Sequence, residues 1–219
     1  TWEGVTLNND GRVTDLFLVN KNLVGGIPSD INDLRGLRSL QLASNKGLNS
    51  VADLLDFPFL DTLNLSGCSL TEMPALGSIP NLGILFVQSN FLESIPDLSQ
   101  FTELKTLVAE RNRIKDMPQL PANIEIVRFR GNRLVSLANV ANLGNLSQLD
   151  IIGNRLTFED LVPIAYIING GNVTVTYIPQ DLVDVEQQYG FFVGDTIKVS
   201  TTVDTAQNVT YQWLILGDP

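Results

Sequence analysis

Apolar residues recur along most of the chain in a fixed frame, L-x-x-L-x-L-x-x-N-x-L. It is clearest at Leu82, Leu85, Val87, Asn90, Leu92 and at Leu104, Leu107, Ala109, Asn112, Ile114. The same frame fits Val13, Leu16, Leu18, Leu23; Leu37, Leu40, Leu42, Asn45; and Leu60, Leu63, Leu65, Cys68, Leu70. It continues through Ile124, Val127, Phe129, Asn132, Leu134 and Leu146, Leu149, Ile151, Asn154, Leu156. Seven registers therefore start at 13, 37, 60, 82, 104, 124 and 146, spaced by 24, 23, 22, 22, 20 and 22 residues. A period of this length is the signature of a solenoid. Apolar fourth and sixth positions alternate with variable ones, which predicts a five-residue strand with one apolar face in each repeat. Such a strand buries that face only when a copy stacks beside it, so the repeats are expected to pile into one curved parallel sheet over a continuous core.

The asparagine at the ninth position is the polar exception inside an apolar run. It is expected to turn inward at the end of each strand and hydrogen bond to backbone groups of the bend, because a buried amide left unsatisfied costs about 1 to 3 kcal/mol. Lys21 holds this slot in the first repeat, where its head can reach water, and Cys68 holds it in the third as a small buried side chain. Apolar-Pro pairs follow at Ile27-Pro28, Met73-Pro74, Ile95-Pro96 and Met117-Pro118. Proline blocks ordinary helix, so the backs of the repeats are predicted to be extended or single 3-10 turns.

Each end of the array needs cover for its apolar face. Trp2, Val5 and Leu7 lead into Asn9-Asp10-Gly11, which predicts a hairpin over the first strand. After the last register, Asp160 is expected to cap a short helix with Pro163 in its first turn, stopped by Gly170 and Gly171. Val173 to Tyr177 alternates as a strand, and Ile178-Pro179-Gln180 reads as a boundary beyond which the repeat is lost. The expected division is 1–178, the repeat domain with its caps, and 179–219, a partial all-β domain.

Composition narrows the function. A formal net charge of -10, with 14 Lys and Arg against 24 Asp and Glu, argues against binding nucleic acid through its phosphates. The longest apolar run, Leu161 to Ile168, is far short of the roughly 20 residues that span a bilayer, so no membrane insertion is expected. The chain starts at Thr1 without a signal segment, which predicts a processed or trimmed piece of something longer. One cysteine and no histidine leave no internal disulfide, and no nucleophilic or phosphate-binding motif is present. Neither catalytic residues, nor a metal site, nor a cofactor is expected. Glu159 and Asp160 read as a helix start, and Asp181, Asp184 and Glu186 as a solvated acidic face lacking a calcium loop.

The remaining functional surface is the outward set on the strands. Fifth positions read Phe17, Gln41, Asn64, Phe86, Val108, Arg128, Asp150, and seventh positions Val19, Ala43, Ser66, Gln88, Glu110, Arg130, Ile152. Apolar anchors beside orienting charges are typical of protein interfaces. The candidate binding residues are Phe86, Gln88, Val108, Glu110, Arg111, Arg128, Arg130 and Asp150. Seven strands of five residues offer roughly 500 Å², which suits a peptide, a glycan chain or a modest protein contact.

These motifs resemble the leucine-rich-repeat family over about Trp2 to Leu161. The opening, from Trp2-Glu3-Gly4-Val5 to Leu23, Gly25, Gly26, Ile27 and Pro28, is similar to plant-type extracellular repeats. Plant members usually carry flanking cysteine pairs, absent here, so the bacterial secreted or cell-surface type is the better match. Gly194, Ile197, Val199, Val203, Val209, Tyr211 and Trp213 resemble the opening strands of a bacterial immunoglobulin-like domain. The resemblance implies an extracellular or cell-surface, non-catalytic module that binds a protein or peptide through its concave face. A surface carbohydrate binder or adhesin and a passive spacer are the alternatives.

Overall fold

The computed structural model describes residues 3–140, 142–178 and 180. Leu40, Leu63, Leu85, Leu107, Val127 and Leu149, the fourth frame position of successive repeats, are all 0% exposed. Their burial follows from strand alternation: the flanking third and fifth positions point to the other face. The strands are β1 Val5–Leu7, β2 Val13–Phe17, β3 Val24–Ile27, β4 Ser39–Gln41, β5 Gly47–Val51, β6 Leu54–Asp56 and β7 Thr62–Asn64. They continue as β8 Leu76–Ser78, β9 Ile84–Phe86, β10 Thr106–Val108, β11 Ile126–Arg128, β12 Gln148–Asp150 and β13 Thr174–Thr176.

Nine of these form one sheet in the order β1-β2-β4-β7-β9-β10-β11-β12-β13. All neighbours are parallel except β1, which runs antiparallel to β2. Register pairs equivalent frame positions, so Leu85, Leu107, Val127 and Leu149 stand in one row. Most repeat strands are three residues long rather than the five expected. The backbone ladder nevertheless runs on to the eighth position: Ser89 N–H donates to Glu110 O at 2.8 Å and Arg111 N–H to Arg130 O at 2.7 Å.

Among the described residues, one apolar cluster lies under the sheet, running from Ile31 to Ile167. Deleting one such leucine side chain typically costs about 2 to 5 kcal/mol. The backs of the first coils are extended, as the Ile27-Pro28 and Met73-Pro74 pairs require, and they pair into two small parallel sheets, β3 with β5 and β6 with β8. Single 3-10 turns follow at Ser29–Asp33 and Ala138–Val140.

The asparagine ladder is the second structural element of the stack. Asn45, Asn90, Asn112, Asn132 and Asn154 are buried. Asn132 Nδ2 donates to Phe129 O of its own coil and Ala109 O of the preceding one, at 3.0 and 2.9 Å, while its Oδ1 accepts Ile114 N–H at 3.0 Å. Cys68 is buried with Sγ 3.4 Å from Leu42 O, so the thiol donates where the amide would. Lys21 sends Nζ outward to Glu3 Oε1 at 2.5 Å.

At the N-terminal edge, β1 and β2 are joined by a turn in which Asn8 Oδ1 accepts the N–H groups of Asp10 and Arg12 at 3.0 and 2.9 Å. After β12 the expected single helix is divided into α1 Phe158–Leu161, a 3-10 turn Val162–Ile164 and α2 Ala165–Gly170. Pro163, which lacks an N–H, lies in the 3-10 turn that divides them. Asp160 is not the capping residue expected. It sits inside α1, and its Oδ2 reaches back to the N–H and hydroxyl of Thr157, at 2.8 and 2.7 Å. That is the return arm of a capping box, with Thr157 before the helix. Ile164 and Ile167 join the core, and Gly171, at φ +69°, ends α2. β13 then adds to the sheet beside β12. Trp2, the acidic Asp181, Asp184 and Glu186, and the immunoglobulin-like pattern ending in Trp213 lie outside the described residues.

Candidate ligand-binding face

The open face of the sheet is built from third, fifth and seventh frame positions, which alternate away from the core. On β7 and β4 it is a closed polar network. Asn64 Nδ2 donates to Gln41 Oε1 at 2.9 Å, Gln41 Nε2 to Ser39 Oγ at 3.1 Å, and Ser66 Oγ to Asn64 Oδ1 at 2.7 Å. From β9 onward the face changes character. Phe86, Val108, Arg128 and Asp150 stand side by side in register across β9 to β12. Arg128 Nη2 donates to Gln148 Oε1 at 3.0 Å, and Arg130 Nε to Asp150 Oδ2, also at 3.0 Å. Two side-chain atoms here, Gln88 Oε1 and Arg128 Nε, are buried without a hydrogen-bond partner.

Seven of the eight candidate residues thus share one half of one face, in two adjacent rows: Phe86, Val108, Arg128, Asp150 and Gln88, Glu110, Arg130. Two need correction. Val108 and Asp150 were expected to be open to a ligand but are only 8% and 7% exposed. Val108 is outside the core cluster and lies in register between Phe86 and Arg128. Asp150 is held beneath Arg130 and accepts Ile152 N–H at 3.2 Å. They shape the floor rather than offering free groups. Arg111 is not brought into either row. It is exposed in the turn after the strand, at φ +54°, against Gly131 of the next coil.

No family model matches the chain. Among curated proteins it is similar to Protein SUPPRESSOR OF npr1-1, CONSTITUTIVE 1 of Arabidopsis thaliana, 32% identical over 146 residues, 63% of this chain and 10% of that protein. It is also similar to the Arabidopsis thaliana disease resistance protein RRS1, 34% identical over 134 residues, 60% of this chain and 10% of that protein. The chain therefore spans about a tenth of these relatives' length. Among solved structures it resembles the plant peptide hormone receptor RGFR1, solved in complex with RGF2, at a TM-score of 0.59 and 23% identity, over 81% of this chain and 29% of that one. It also resembles internalin C2 of Listeria monocytogenes, at a TM-score of 0.54 and 21% identity, over 74% and 79% of the two chains. The chain folds as a leucine-rich-repeat solenoid. The internalin likeness, at 21% identity, shows the fold alone, and the curated relatives named here come from a plant, so the bacterial type expected from sequence is not supported.

Two features of this leucine-rich-repeat solenoid went unread in its sequence. The eighth frame position is left-handed in every one of the seven repeats: Asn20, Ser44, Gly67, Ser89, Arg111, Gly131 and Gly153 have φ between 53° and 67°. The recurrent glycines at 67, 131 and 153 were the available signal. The second feature is an eighth rung. Gln180 Nε2 donates to Ile151 O at 3.0 Å and to Tyr177 O, and its Oε1 accepts Leu156 N–H at 3.4 Å. These are the contacts of a ladder asparagine, made by a residue that sequence reading had put beyond the repeats. Among the described residues, no helix of the solenoid is long and apolar enough to cross a membrane.

Proposed function

We propose that this chain is a non-catalytic recognition module, outside the cell or at its surface, that holds a peptide or short protein segment on the concave face between Phe86 and Asp150. The observation that carries this reading is the pair of orphaned polar atoms, Gln88 Oε1 and Arg128 Nε, beside the half-buried Phe86. A buried polar group left unpaired costs about 1 to 3 kcal/mol, and a ligand supplying a donor to Gln88 and an acceptor to Arg128 removes that cost. Glu110 adds a charge that has no ion-pair partner among the described residues. An extended peptide offers such donors and acceptors along its backbone, and the strip is narrow enough to be filled by one. The fold shared with a receptor solved together with RGF2 supports the analogy.

In this reading the hairpin and the α1–α2 segment cover the ends of residues 1–178, and residues 179–219 open an immunoglobulin-like domain, on sequence pattern alone.

The test is panning of a random-peptide phage library against the protein. Enriched peptides are expected to lose capture by Phe86→Ala and by Arg128→Glu while both variants melt as the parent does. No enrichment, or capture indifferent to both changes, rejects the concave site and leaves the spacer.

A further inference from the structure

Positive charge is concentrated in the last repeats of this acidic chain. Seven of its 14 Lys and Arg fall between residues 111 and 155, with only three of its 24 acids. Three of the seven, Arg113, Arg133 and Arg155, occupy the tenth frame position of successive coils, and Phe91 holds that position one coil earlier. Their backbones are fixed in a column. The N–H groups of Phe91, Arg113, Arg133 and Arg155 donate to Leu70, Leu92, Ile114 and Leu134 of the preceding coil, at 2.8, 2.8, 2.9 and 3.0 Å. The ladder asparagine just before each turns inward, which leaves the tenth position at the outer edge where strand becomes convex back. Arg113 and Arg155 are exposed and Arg133 half-buried. Among the described residues none of the three side chains enters an ion pair. The contact recorded for them is Arg113 over the Phe91 ring, 4.9 Å from its centroid.

Coils stack at about 4.8 Å, and like charges carried on successive coils repel one another. A partner carrying regularly spaced negative charge would turn that repulsion into attraction. We propose that this edge binds a linear acidic polysaccharide, a chain of sugar rings bearing carboxylate or sulfate groups, laid along Arg113, Arg133 and Arg155 with Phe91 at one end. Guanidinium forks match carboxylate and sulfate oxygens two at a time. Guanidinium forks carried on backbones stacked coil by coil suit a polymer whose anionic unit repeats on the scale of one ring. An extended acidic peptide presents side chains on one side about every 6.6 Å, out of step with the coils. Phe91 remains 42% exposed with the Arg113 guanidinium over its ring, and adds apolar surface for a sugar ring at one end of the column.

The site is separate from the concave face, so the two readings fail independently. The experiment is calorimetric titration of the protein with oligogalacturonate and with a heparin-derived oligosaccharide at two salt concentrations, with poly-L-glutamate as the competing polyanion. One of the two saccharides is expected to bind at least tenfold more tightly than poly-L-glutamate, with affinity falling as salt rises. The triple variant Arg113→Gln, Arg133→Gln, Arg155→Gln is expected to lose at least tenfold in affinity, and Arg155→Gln alone severalfold. Phe86→Ala on the concave face leaves saccharide binding unchanged. Melting curves check that each variant is folded. The proposal is overturned if neither saccharide binds, if poly-L-glutamate binds as tightly, or if a folded Arg155→Gln and the triple variant both keep full affinity.

Discussion

Gln180 and Asn154 share one acceptor: the carbonyl of Ile151 takes Nδ2 of Asn154 at 2.9 Å and Nε2 of Gln180 at 3.0 Å. Phe129 O is shared in the same way by Asn132 and Asn154, both at 3.0 Å. Gln180 therefore extends the ladder one rung beyond Asn154, and its Oε1 holds the Leu156 N–H. Gln180→Ala is expected to expose that amide and cost about 1 kcal/mol. Solenoid stability is close to a sum over neighbouring repeats, so the loss stays local. Hydrogen exchange checks it: Leu156 N–H should lose protection, while Leu92 N–H, held by Asn112 three rungs earlier in the ladder, should not change. Equal protection of Leu156 in both proteins would remove Gln180 from the ladder.

Cys68 gives a prediction in pH. Burial pushes its thiol pKa above the ordinary value of 9.0, only partly offset by a backbone hydrogen bond from Asn45. A pKa raised by folding means that the folded state binds the proton more tightly than the unfolded one. The stability this contributes is fully present below the unfolded thiol pKa and is lost as pH rises through the folded one. Melting temperature should therefore fall through the range above pH 9 more steeply for the parent than for Cys68→Ala, which has no thiol to ionise. Native Cys68 should also react slowly with a thiol reagent at pH 8 and fully in urea, because the thiolate is the nucleophile.

How far these features were readable follows from where their causes lie. The ladder was legible because an asparagine inside an apolar run has one physical use, and it recurred at Asn90, Asn112, Asn132 and Asn154. Gln180 broke both clues, being a glutamine and standing 26 residues after Asn154 because the α1–α2 segment intervenes. The rows of the candidate site were legible from strand alternation alone. The depth of Val108 and Asp150 was not, since it depends on side chains from coils some 20 residues away in sequence. The left-handed eighth position was visible at Gly67, Gly131 and Gly153 and masked at Ser89 and Arg111.

That position supplies a pair of substitutions with opposite signs. Arg111 and Gly131 occupy it on adjacent coils, at φ +54° and +67°. A side chain in the left-handed region costs about 1 to 2 kcal/mol, so Gly131→Ala should destabilise by about 1 kcal/mol. Steric contact adds little, because the nearest atom to a new Cβ is Arg111 Cγ at 3.7 Å. Arg111→Gly should instead be neutral or stabilising by up to about 1 kcal/mol, the relief being offset by greater freedom of the unfolded chain. Urea unfolding of the two variants decides the matter. Losses of equal size in both would mean that Arg111 contributes contacts outweighing its backbone strain.

The last prediction concerns Arg130 and Asp150, joined at 3.0 Å on the floor of the candidate site. The arginine side chain is 47% exposed and the aspartate 10%, so the pair is asymmetric. Removing the arginine leaves a nearly buried carboxylate short of its partner. Removing the aspartate frees a cation that water can reach, although the Ile152 N–H also loses its acceptor. Solvent screening at Arg130 holds their coupling to about 1 kcal/mol. A double-mutant cycle with Arg130→Ala and Asp150→Ala should return a coupling of that size, reduced in high salt. Binding of a concave-face peptide should respond differently. Asp150→Ala releases Arg130 to swing away and should weaken capture severalfold, whereas Asp150→Asn keeps an acceptor for the guanidinium and should retain most of it. If Asp150→Asn were as weak as Asp150→Ala, the role of Asp150 would be its charge rather than the positioning of Arg130.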